Sequence, residues 1–442
     1  MRKIILFVAA LACSAGAMAD DMSFQKVANF GYVASGAIVS IDMEGKGYPS
    51  VLYMERASDK RSIYIENNNG ILNVHPFEAN AGIPNFGIPF HENPGMVVMD
   101  VNHDGKQDLV VAGGWPPTLD IYLNNGTGGF TKDNNQPNLY GARDWENSDY
   151  LAAGDYDNDG WTDLFVLGMT YDPEAAAENM RLSIYRNNNG IFEKPDQSLV
   201  GCRSGSIAVG DVNGDGNLDV FYTGYGCGYE THLYYGNGKG QWIAEMNVLF
   251  DEAIKGDVAI LDFDNDGYMD LMEQGREHGG TTIYKNNGDG TYTKKPYTET
   301  ALHANTDLYI DYGDFNLDGK MDIIASGWNI GTNGESSCIF LNNGDFTFTR
   351  MGLAENARGG VFAWDYDADS KCDYIAWCYS DKLPDGSNGW YAPVVHNTTV
   401  KTSTDLDEIV PNPDSAAQKI VRDGQILIIH DGKVFNMLGT VF

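Results

Sequence analysis

Six short stretches of the chain concentrate carboxylates at a spacing that suits a bound cation. Each follows the pattern Asp-x-Asp/Asn-x-Asp-Gly-x-x-Asp, except that Ser370 replaces the glycine in the last copy. Alternate residues of a tight loop can direct their side-chain oxygens to one point, and Ca²⁺ takes about six to eight oxygen ligands. The glycine at position 6 permits the sharp turn, so Ser370 should weaken that loop. The copies begin at Asp100, Asp155, Asp211, Asp262, Asp314 and Asp365.

The expected ligands are the side chains at positions 1, 3, 5 and 9 and the backbone carbonyl at position 7. They are Asp100, Asn102, Asp104, Lys106 and Asp108; Asp155, Asp157, Asp159, Trp161 and Asp163; Asp211, Asn213, Asp215, Asn217 and Asp219; Asp262, Asp264, Asp266, Tyr268 and Asp270; Asp314, Asn316, Asp318, Lys320 and Asp322; and Asp365, Asp367, Asp369, Lys371 and Asp373. Carboxylates held this close repel one another strongly unless a cation lies between them. We therefore predict about six Ca²⁺ ions. Because the loop fills the coordination shell with protein oxygens, their role should be structural.

The sequence excludes one alternative calcium motif, the EF-hand, and contains one copy of the loop that is not expected to bind metal. An EF-hand needs Glu at position 12 and flanking helices, whereas position 12 is Val111, Val166, Tyr222, Glu273, Ala325 or Ala376 and apolar strand-like runs flank the loops. A seventh, decayed copy begins at Asp42 and carries Lys46 at position 5 and Ser50 at position 9. There the Lys46 ammonium would replace the cation, so no metal is predicted.

The flanks of the loops repeat as well, at intervals of 51 to 58 residues. An apolar run precedes and follows each loop, and a strand such as Ile283–Lys285 then leads into an Asn-Asn-Gly turn, a strong hairpin signal. Each unit thus holds four short strands, with the Asp loop between strands 1 and 2. A solenoid usually has shorter repeats and does not need two hairpins per unit. The pattern predicts an all-β, seven-bladed β-propeller of four-stranded blades.

Closure of the ring can also be predicted. After the last Asp loop there is no clear fourth strand, whereas residues 23–27 resemble one and have no blade of their own. We expect the N-terminal strand to complete the seventh blade, which would leave no open sheet edge.

The loop, the strand after it and the Asn-Asn-Gly-x-Gly-x-Phe turn resemble FG-GAP/VCBS repeats, which form the integrin-α-like propeller. The resemblance covers roughly residues 22–397. It implies that the calcium loops lie on one face of the ring and that ligands meet the opposite face. Because the family includes adhesion modules, propeller lectins and some polysaccharide lyases, it determines fold better than function.

Both ends of the chain carry export-like features. Residues 1–19 combine a basic start, an apolar run and an Ala-x-Ala site, as a signal peptide does. This apolar run is too short to span a membrane, and no other segment has an apolar run of the required length, about 18 residues. The propeller is expected over 20–397, a polar linker over 398–417 and a tail over 418–442. The tail resembles the C-terminal sorting tail of type IX (Por) secretion substrates; the alternative is a small β-hairpin packed on the propeller.

The connections between strands 2 and 3 should lie on the face opposite the metal loops. Their aromatic and basic residues suit stacking on sugar rings, although Trp115 and Trp328 could instead pack between blades. The candidates are Trp115, Tyr171, Tyr225, Arg276, His278, Trp328 and Tyr379. In the fourth blade, Cys202 and Cys227 flank the hairpin at matching positions, which predicts a disulfide.

A net charge of −33 disfavours nucleic acid and anionic membranes as partners. No metalloprotease, nucleophile-elbow or phosphate-loop motif is present and the eight His residues do not cluster, so a binding module is favoured over an enzyme. The interpretation is a monomeric, secreted or cell-surface module for glycan or extracellular protein. The alternatives are a lyase-like enzyme that uses Arg276, His278 or tyrosines, and a purely structural surface protein.

Overall fold

The structure is a computed structural model. It describes residues 22–29, 36–55, 62–75, 88, 91, 94–114, 116–137, 139–143, 150–172, 177–193, 198–225, 229–245, 250, 256–275, 280–296, 309–326, 337–353, 357–380, 389–399, 417–422, 425–430 and 433–436. The chain divides into two compact units, residues 1–400 and residues 401–442.

The first unit is a ring of seven antiparallel blades. The first four are blade 1, β2 (Gly36–Ile41), β3 (Ser50–Glu55), β4 (Ser62–Asn68) and β5 (Ile71–His75); blade 2, β6 (Gly95–Met99), β7 (Asp108–Gly113), β8 (Thr118–Asn124) and β9 (Phe130–Lys132); blade 3, β11 (Leu151–Gly154), β12 (Asp163–Asp172), β13 (Ala177–Tyr185) and β16 (Ser198–Val200); and blade 4, β17 (Ile207–Gly210), β18 (Asp219–Tyr225), β19 (Tyr229–Gly236) and β20 (Trp242–Glu245). In blade 3, β10 (Ala142–Arg143) also pairs with β12, and β14 (Asn187–Asn188) pairs with β15 (Ile191–Phe192).

Three further blades complete the ring. They are blade 5, β21 (Asp257–Leu261), β22 (Asp270–Gly275), β23 (Gly280–Asn286) and β24 (Tyr292–Lys295); blade 6, β25 (Tyr309–Gly313), β26 (Asp322–Ser326), β27 (Ser337–Asn342) and β28 (Phe348–Gly352); and blade 7, β29 (Ala357–Trp364), β30 (Asp373–Ser380), β32 (Pro393–Asn397) and β1 (Phe24–Asn29), with β31 (Gly389–Tyr391) beside β30. The predicted seven-bladed propeller is confirmed.

The N-terminal strand closes blade 7, as the sequence predicts. β1 pairs antiparallel with β32, from Phe24 opposite Asn397 to Asn29 opposite Pro393. The backbone N–H of Thr398 donates to the Ser23 carbonyl at 2.8 Å, which extends the pairing by one step.

Second strands lie near the middle of each blade and are buried on both faces, because neighbouring blades stack on them. All six residues of β7 are buried, and so are all six of β22. The run from Leu109 to Ala112 in β7 is accordingly apolar rather than alternating, whereas β22 also buries Glu273 and Gln274. Apolar clusters fill every seam between blades; the seam between blades 7 and 1 joins Ile38 and Tyr53 to Phe362 and Trp377.

The second unit contains a three-stranded antiparallel sheet of β33 (Ala417–Arg422), β34 (Gln425–His430) and β35 (Lys433–Asn436). Among the residues that the structure describes, no helix is long and apolar enough to cross a bilayer.

Candidate metal centres

The first Asp of each loop forms the turn by accepting backbone hydrogen bonds. In blade 5, Oδ1 of Asp262 accepts from the N–H of Asp266 at 3.1 Å and Oδ2 accepts from the N–H of Gly267 at 2.9 Å. Two residues of this turn, Asn265 and Gly267, have φ values of 55° and 92°. The same left-handed pair recurs at positions 4 and 6 of the other loops. Sequence reasoning identified position 6 but missed position 4, although Asn158, Gly214 and Asn265 were a signal for it.

The last Asp of each loop is a fully buried junction between the loop and the third strand. Asp270 accepts from the N–H of Phe263 at 3.0 Å and from that of Asn286 at 2.8 Å, and it has no exposed surface. Equivalent pairs of bonds end on Asp108, Asp163, Asp219, Asp322 and Asp373. Sequence reasoning had assigned these residues to a cation alone.

Burial makes these six carboxyl groups weaker acids than a carboxyl group in water. It raises the pKa of Asp270 and Asp322 to about 8, of Asp163 and Asp219 to about 7, and of Asp108 and Asp373 to about 6, although their backbone hydrogen bonds oppose the shift. Because burial makes the ionised carboxylate unfavourable, a nearby cation would stabilise it.

Three loops bring at least three carboxylates to one point. In blade 5, oxygens of Asp262, Asp264 and Asp270 all lie within 4.8 Å of one another. Two ligands on opposite sides of a Ca²⁺ ion, each at about 2.3–2.6 Å, would lie roughly 5 Å apart, so the spacing fits this ion. The other groups are Asp155, Asp157 and Asp163; Asp365, Asp367 and Asp373; and Asp367, Asp369 and His396. These groups could hold a metal ion.

The loops of blades 2, 4 and 6 have an amide in place of the second carboxylate. Oδ1 of Asn102, Asn213 and Asn316 accepts from the N–H of position 5 at 3.1, 2.9 and 3.0 Å. An amide oxygen is a calcium ligand as well, so these loops present the same kinds of oxygen with one charge fewer.

One oxygen of the blade 5 group has no hydrogen-bond partner among the residues that the structure describes. Oδ1 of Asp264 is buried and accepts no hydrogen bond from the described residues, whereas Oδ2 of the same carboxylate binds Lys285. A buried carboxylate oxygen without a partner is costly. A cation held by Asp262, Asp264 and Asp270 would satisfy it.

Basic side chains contact the outer oxygens of several loops. Lys106, Lys320 and Lys371, all at position 7, pair with the position 5 carboxylate two residues earlier at 2.6, 2.7 and 2.6 Å. Arg186 and Lys285 reach their loops from the end of the third strand instead. The sequence analysis did not anticipate these strand-borne bases.

The turn asparagine of the third strand joins neighbouring blades. Nδ2 of Asn286 donates to the carbonyl of Val212, at position 2 of the preceding blade's loop, at 2.7 Å. The same bond links Asn67 to Tyr366, Asn187 to Val101, Asn342 to Phe263 and Asn397 to Phe315. These residues therefore anchor the metal loops to the seams of the ring.

The decayed loop of blade 1 keeps the turn but not the carboxylate group. Lys46 pairs with Glu44, the residue at position 3 of this loop, and its side chain is 57% exposed. Ser50 is buried in the position of the last Asp, and its Oγ accepts from the N–H of Asn67 at 3.1 Å.

The proposed ligand face is described only in part. Tyr225 lies at the end of β18, opposite the end that carries Asp219. The residue is 39% exposed, and the Arg203 guanidinium lies 5.1 Å from the centroid of its ring. Tyr171 and Tyr379 also lie near the C-terminal ends of second strands, in β12 and β30 respectively. Trp115, Arg276, His278 and Trp328 lie outside the described residues.

The disulfide between Cys202 and Cys227 stays a prediction. Cys202 is buried, with Sγ 3.0 Å from the Thr223 carbonyl. Cys227 lies outside the described residues.

The fold and its loops define a class of protein, the β-propeller with an Asp-rich loop between the first two strands of its blades. A family model described as the FG-GAP-like repeat matches residues 100–166, 175–222, 211–273 and 274–325. The chain therefore contains FG-GAP-like repeats.

Curated relatives match about half of the chain. Cartilage acidic protein 1 of Mus musculus is 25% identical over 278 residues, which is 54% of this chain and 41% of the relative; the Homo sapiens protein is 25% identical over 277 residues, 54% and 40%. The chain thus spans about two fifths of the length of the curated relatives it matches.

Several solved structures are similar to this chain at low sequence identity. A lectin from Agrocybe aegerita, described as recognising non-reducing terminal N-acetylglucosamine, is 17% identical, with 82% of this chain and 94% of that chain covered and a TM-score of 0.47. The Bacillus licheniformis rhamnogalacturonan lyase is 14% identical, with 85% and 75% covered and a TM-score of 0.47. BBS1N, solved in complex with ARL6DN, is 11% identical, with 86% and 98% covered and a TM-score of 0.49.

Proposed function

We propose that this protein is a calcium-stabilised β-propeller, secreted or displayed at the cell surface, that acts as a binding module for glycans or extracellular proteins. The observation that carries the calcium part is the buried, unpartnered Oδ1 of Asp264 beside the converging carboxylates of Asp262 and Asp270. Ca²⁺ would be held by positions 1, 3, 5 and 9 and by the position 7 carbonyl. When bound, it would neutralise the carboxylates and join strands 1 and 2 of its blade.

Metal analysis tests this part directly. The protein, purified in calcium buffer and passed through a desalting column, is expected to retain about six Ca²⁺ ions by elemental analysis and native mass spectrometry. Chelation with EGTA should lower the melting temperature by roughly 10 °C or more, and added Ca²⁺ should restore it, because a ligand bound only by the folded state stabilises that state. Magnesium at the same concentration is the control. A calcium-free protein whose melting temperature ignores EGTA would refute the proposal.

The binding part is supported by Tyr225 and Arg203 at the strand ends away from the metal loops. An exposed aromatic ring with a guanidinium over one face is a surface that stacks against sugars or peptide side chains. A glycan array screened with the whole protein in calcium, and again in EGTA, tests it. Tyr225→Ala should weaken any signal that the intact protein gives, whereas Ile71→Ala, which removes an exposed apolar side chain at the start of β5 in blade 1, should not. Equal signals from the two variants would place the ligand elsewhere.

Export is the third part of the proposal, and it rests on the sequence of residues 1–19. N-terminal sequencing of protein recovered from the medium or the cell surface should begin at Asp20. Intact-mass measurement of the same material reports whether residues 418–442 have been removed, as a sorting tail would be. Retention of Met1 in the exported protein would contradict the signal-peptide prediction.

A further inference from the structure

The six Asp loops fall into two kinds, and the kind is matched by a residue far away in sequence. Position 3 is Asp in blades 3, 5 and 7 and Asn in blades 2, 4 and 6. The residue at the end of the third strand, immediately before the turn position, is basic in the first set and uncharged in the second. These residues are Arg186, Lys285 and His396 in blades 3, 5 and 7, and Leu123, Tyr235 and Leu341 in blades 2, 4 and 6. Each loop that has a fourth carboxylate, at position 3, therefore also has a basic residue at the end of the third strand of its blade.

The geometry shows why the two positions belong together. Arg186 places Nε 2.5 Å from Oδ2 of Asp157 and Nη2 2.6 Å from Oδ2 of Asp159, so it binds positions 3 and 5 at once. Lys285 does the same in blade 5, with Nζ bonded to Asp264 and 2.6 Å from Oδ2 of Asp266.

Other bases near the loops reach less far. The position 7 lysines 106, 320 and 371 contact the position 5 carboxylate alone. In blade 7, His396 places Nδ1 3.0 Å from Asp373 and 3.7 Å from Asp367. Among the six Asp loops, as far as the structure describes them, a Lys or Arg contacts the position 3 carboxylate only in blade 3, through Arg186, and in blade 5, through Lys285.

We propose that Arg186 and Lys285 are built-in counter-ions, which hold the carboxylates of blades 3 and 5 together when no metal is bound and which an arriving ion must displace. This inference rests on the proposed calcium binding. A metal ion and a basic group that share two carboxylates repel each other, so each base lowers the affinity of its own loop. The loops of blades 2, 4 and 6 have no such competitor at position 3. The ring accordingly holds two classes of ion site, which differ in how far the empty loop stabilises itself.

Replacing Lys285 by the residue that blade 6 carries at the same place gives a diagnostic test. In the full-length Lys285→Leu protein, removal of the base should lower the melting temperature in EGTA, because Asp264 and Asp266 then repel without relief. It should also raise the affinity of the blade 5 loop for Ca²⁺, by about tenfold. Differential scanning calorimetry in EGTA measures the first effect, and calcium titration by isothermal calorimetry with native mass spectrometry measures the second. A base that merely packs in place would change stability and affinity in the same direction.

Three further variants complete the experiment. Lys285→Gln keeps most of the side chain and removes the charge, so it should show the same opposed changes if Lys285→Leu folds poorly; Lys285→Arg should restore the wild-type behaviour. Leu341→Lys in blade 6 introduces a base beside the Asn316 loop and should weaken that site without stabilising the empty protein.

The outcomes separate the two proposals. If wild-type protein binds no calcium, both fail. If it binds calcium but Lys285→Leu and Lys285→Gln leave both quantities unchanged, or lower both, calcium binding stands and the counter-ion role is wrong.

Discussion

Blades 1 and 5 contain the same turn with different chemistry inside it. Asp42 accepts from the N–H groups of Lys46 and Gly47 at 3.0 and 2.6 Å, as Asp262 accepts from Asp266 and Gly267 at 3.1 and 2.9 Å. At the other end of the loop, Ser50 and Asp270 both receive the N–H of the turn asparagine. Blade 1 nevertheless lacks carboxylates at positions 5 and 9.

The comparison shows that the turn and the ion site are separable. The turn needs an acceptor at position 1, left-handed residues at positions 4 and 6, and an acceptor at position 9, and a hydroxyl suffices for the last of these. The ion site needs carboxylates at the same places. A blade can therefore lose the carboxylates at positions 5 and 9 while its backbone path survives, as blade 1 indicates.

The largest expected difference between the loops of blades 1 and 5 is in how their contribution to stability depends on pH. The buried Asp at position 9 has a raised pKa, about 8 for Asp270, so the folded protein binds its proton more tightly than the unfolded chain does. The stability contributed by protonation is fully present below about pH 4 and is lost progressively from there up to the folded-state pKa of each group, about 6 for Asp108 and about 8 for Asp270. In EGTA, the melting temperature should fall by about 5–10 °C or more between pH 5 and pH 8.5.

Calcium should remove most of this dependence, because the ion stabilises the charged carboxylate. Its affinity should increase over the same pH range as the protons are released. Blade 1, with Ser50, contributes nothing to the effect. A metal-free protein that becomes more stable from pH 5 to pH 8.5 would show that these carboxyl groups are ionised without cost.

The next largest expected difference between blades 1 and 5 is the loss of folding stability when the position 9 side chain is removed. Asp270→Ala leaves two buried N–H groups without an acceptor and deletes an ion ligand, so a loss of about 3–5 kcal/mol of stability is expected in calcium. Ser50→Ala, the matched change in blade 1, removes one acceptor and should cost about 1–2 kcal/mol. Urea denaturation followed by tryptophan fluorescence measures both. Equal losses would mean that the carboxylate does no more than the hydroxyl.

Restoring carboxylates to blade 1 tests whether the decayed loop is only a site without ligands. In the double variant Lys46→Asp with Ser50→Asp, the turn should still form because Asp42, Gly45 and Gly47 are unchanged. One additional Ca²⁺ ion should appear in native mass spectra, with a calcium-dependent gain of about 2–3 kcal/mol at saturating metal. Lys46→Ala with Ser50→Asp is the control for loss of the lysine alone. An unchanged ion count would show that position 3, Glu44 here, also decides occupancy.

The smallest expected effect concerns backbone strain in blade 7. Ser370 occupies position 6 with φ of 67° and still donates its N–H to Asp365 at 2.8 Å. Glycine accepts this conformation without the Cβ penalty, so Ser370→Gly should stabilise the protein by about 1 kcal/mol. Gly267→Ser, the reverse change in blade 5, should destabilise by a similar amount in the same thermal melts. A stabilising Gly267→Ser would contradict this account.

Sequence reasoning predicted the repeat, the blade number, the closure by residues 23–27 and the loop positions, because all of these recur at a fixed period. It missed contacts that join two recurring features. The turn asparagine looked like a hairpin residue only, yet Asn397 is followed by Thr398 rather than Gly, a signal that its side chain has another task. The pairing of Arg186 with Asp157 was missed because nothing local links residues 29 positions apart; only comparison of all six units reveals it.

The closure of blade 7 has a consequence for the order of folding. Phe24 meets Asn397 across more than 370 residues, so the first strand of the chain finds its partner only after the last strand of the ring has formed. Blades 1 to 6 can each form from strands that are close in sequence. Blade 7 instead requires the two ends of the propeller to come together, which is the step with the largest entropic cost. A nascent chain would therefore carry a set of completed blades in an open arc, with residues 24–29 unpaired until the other end arrives.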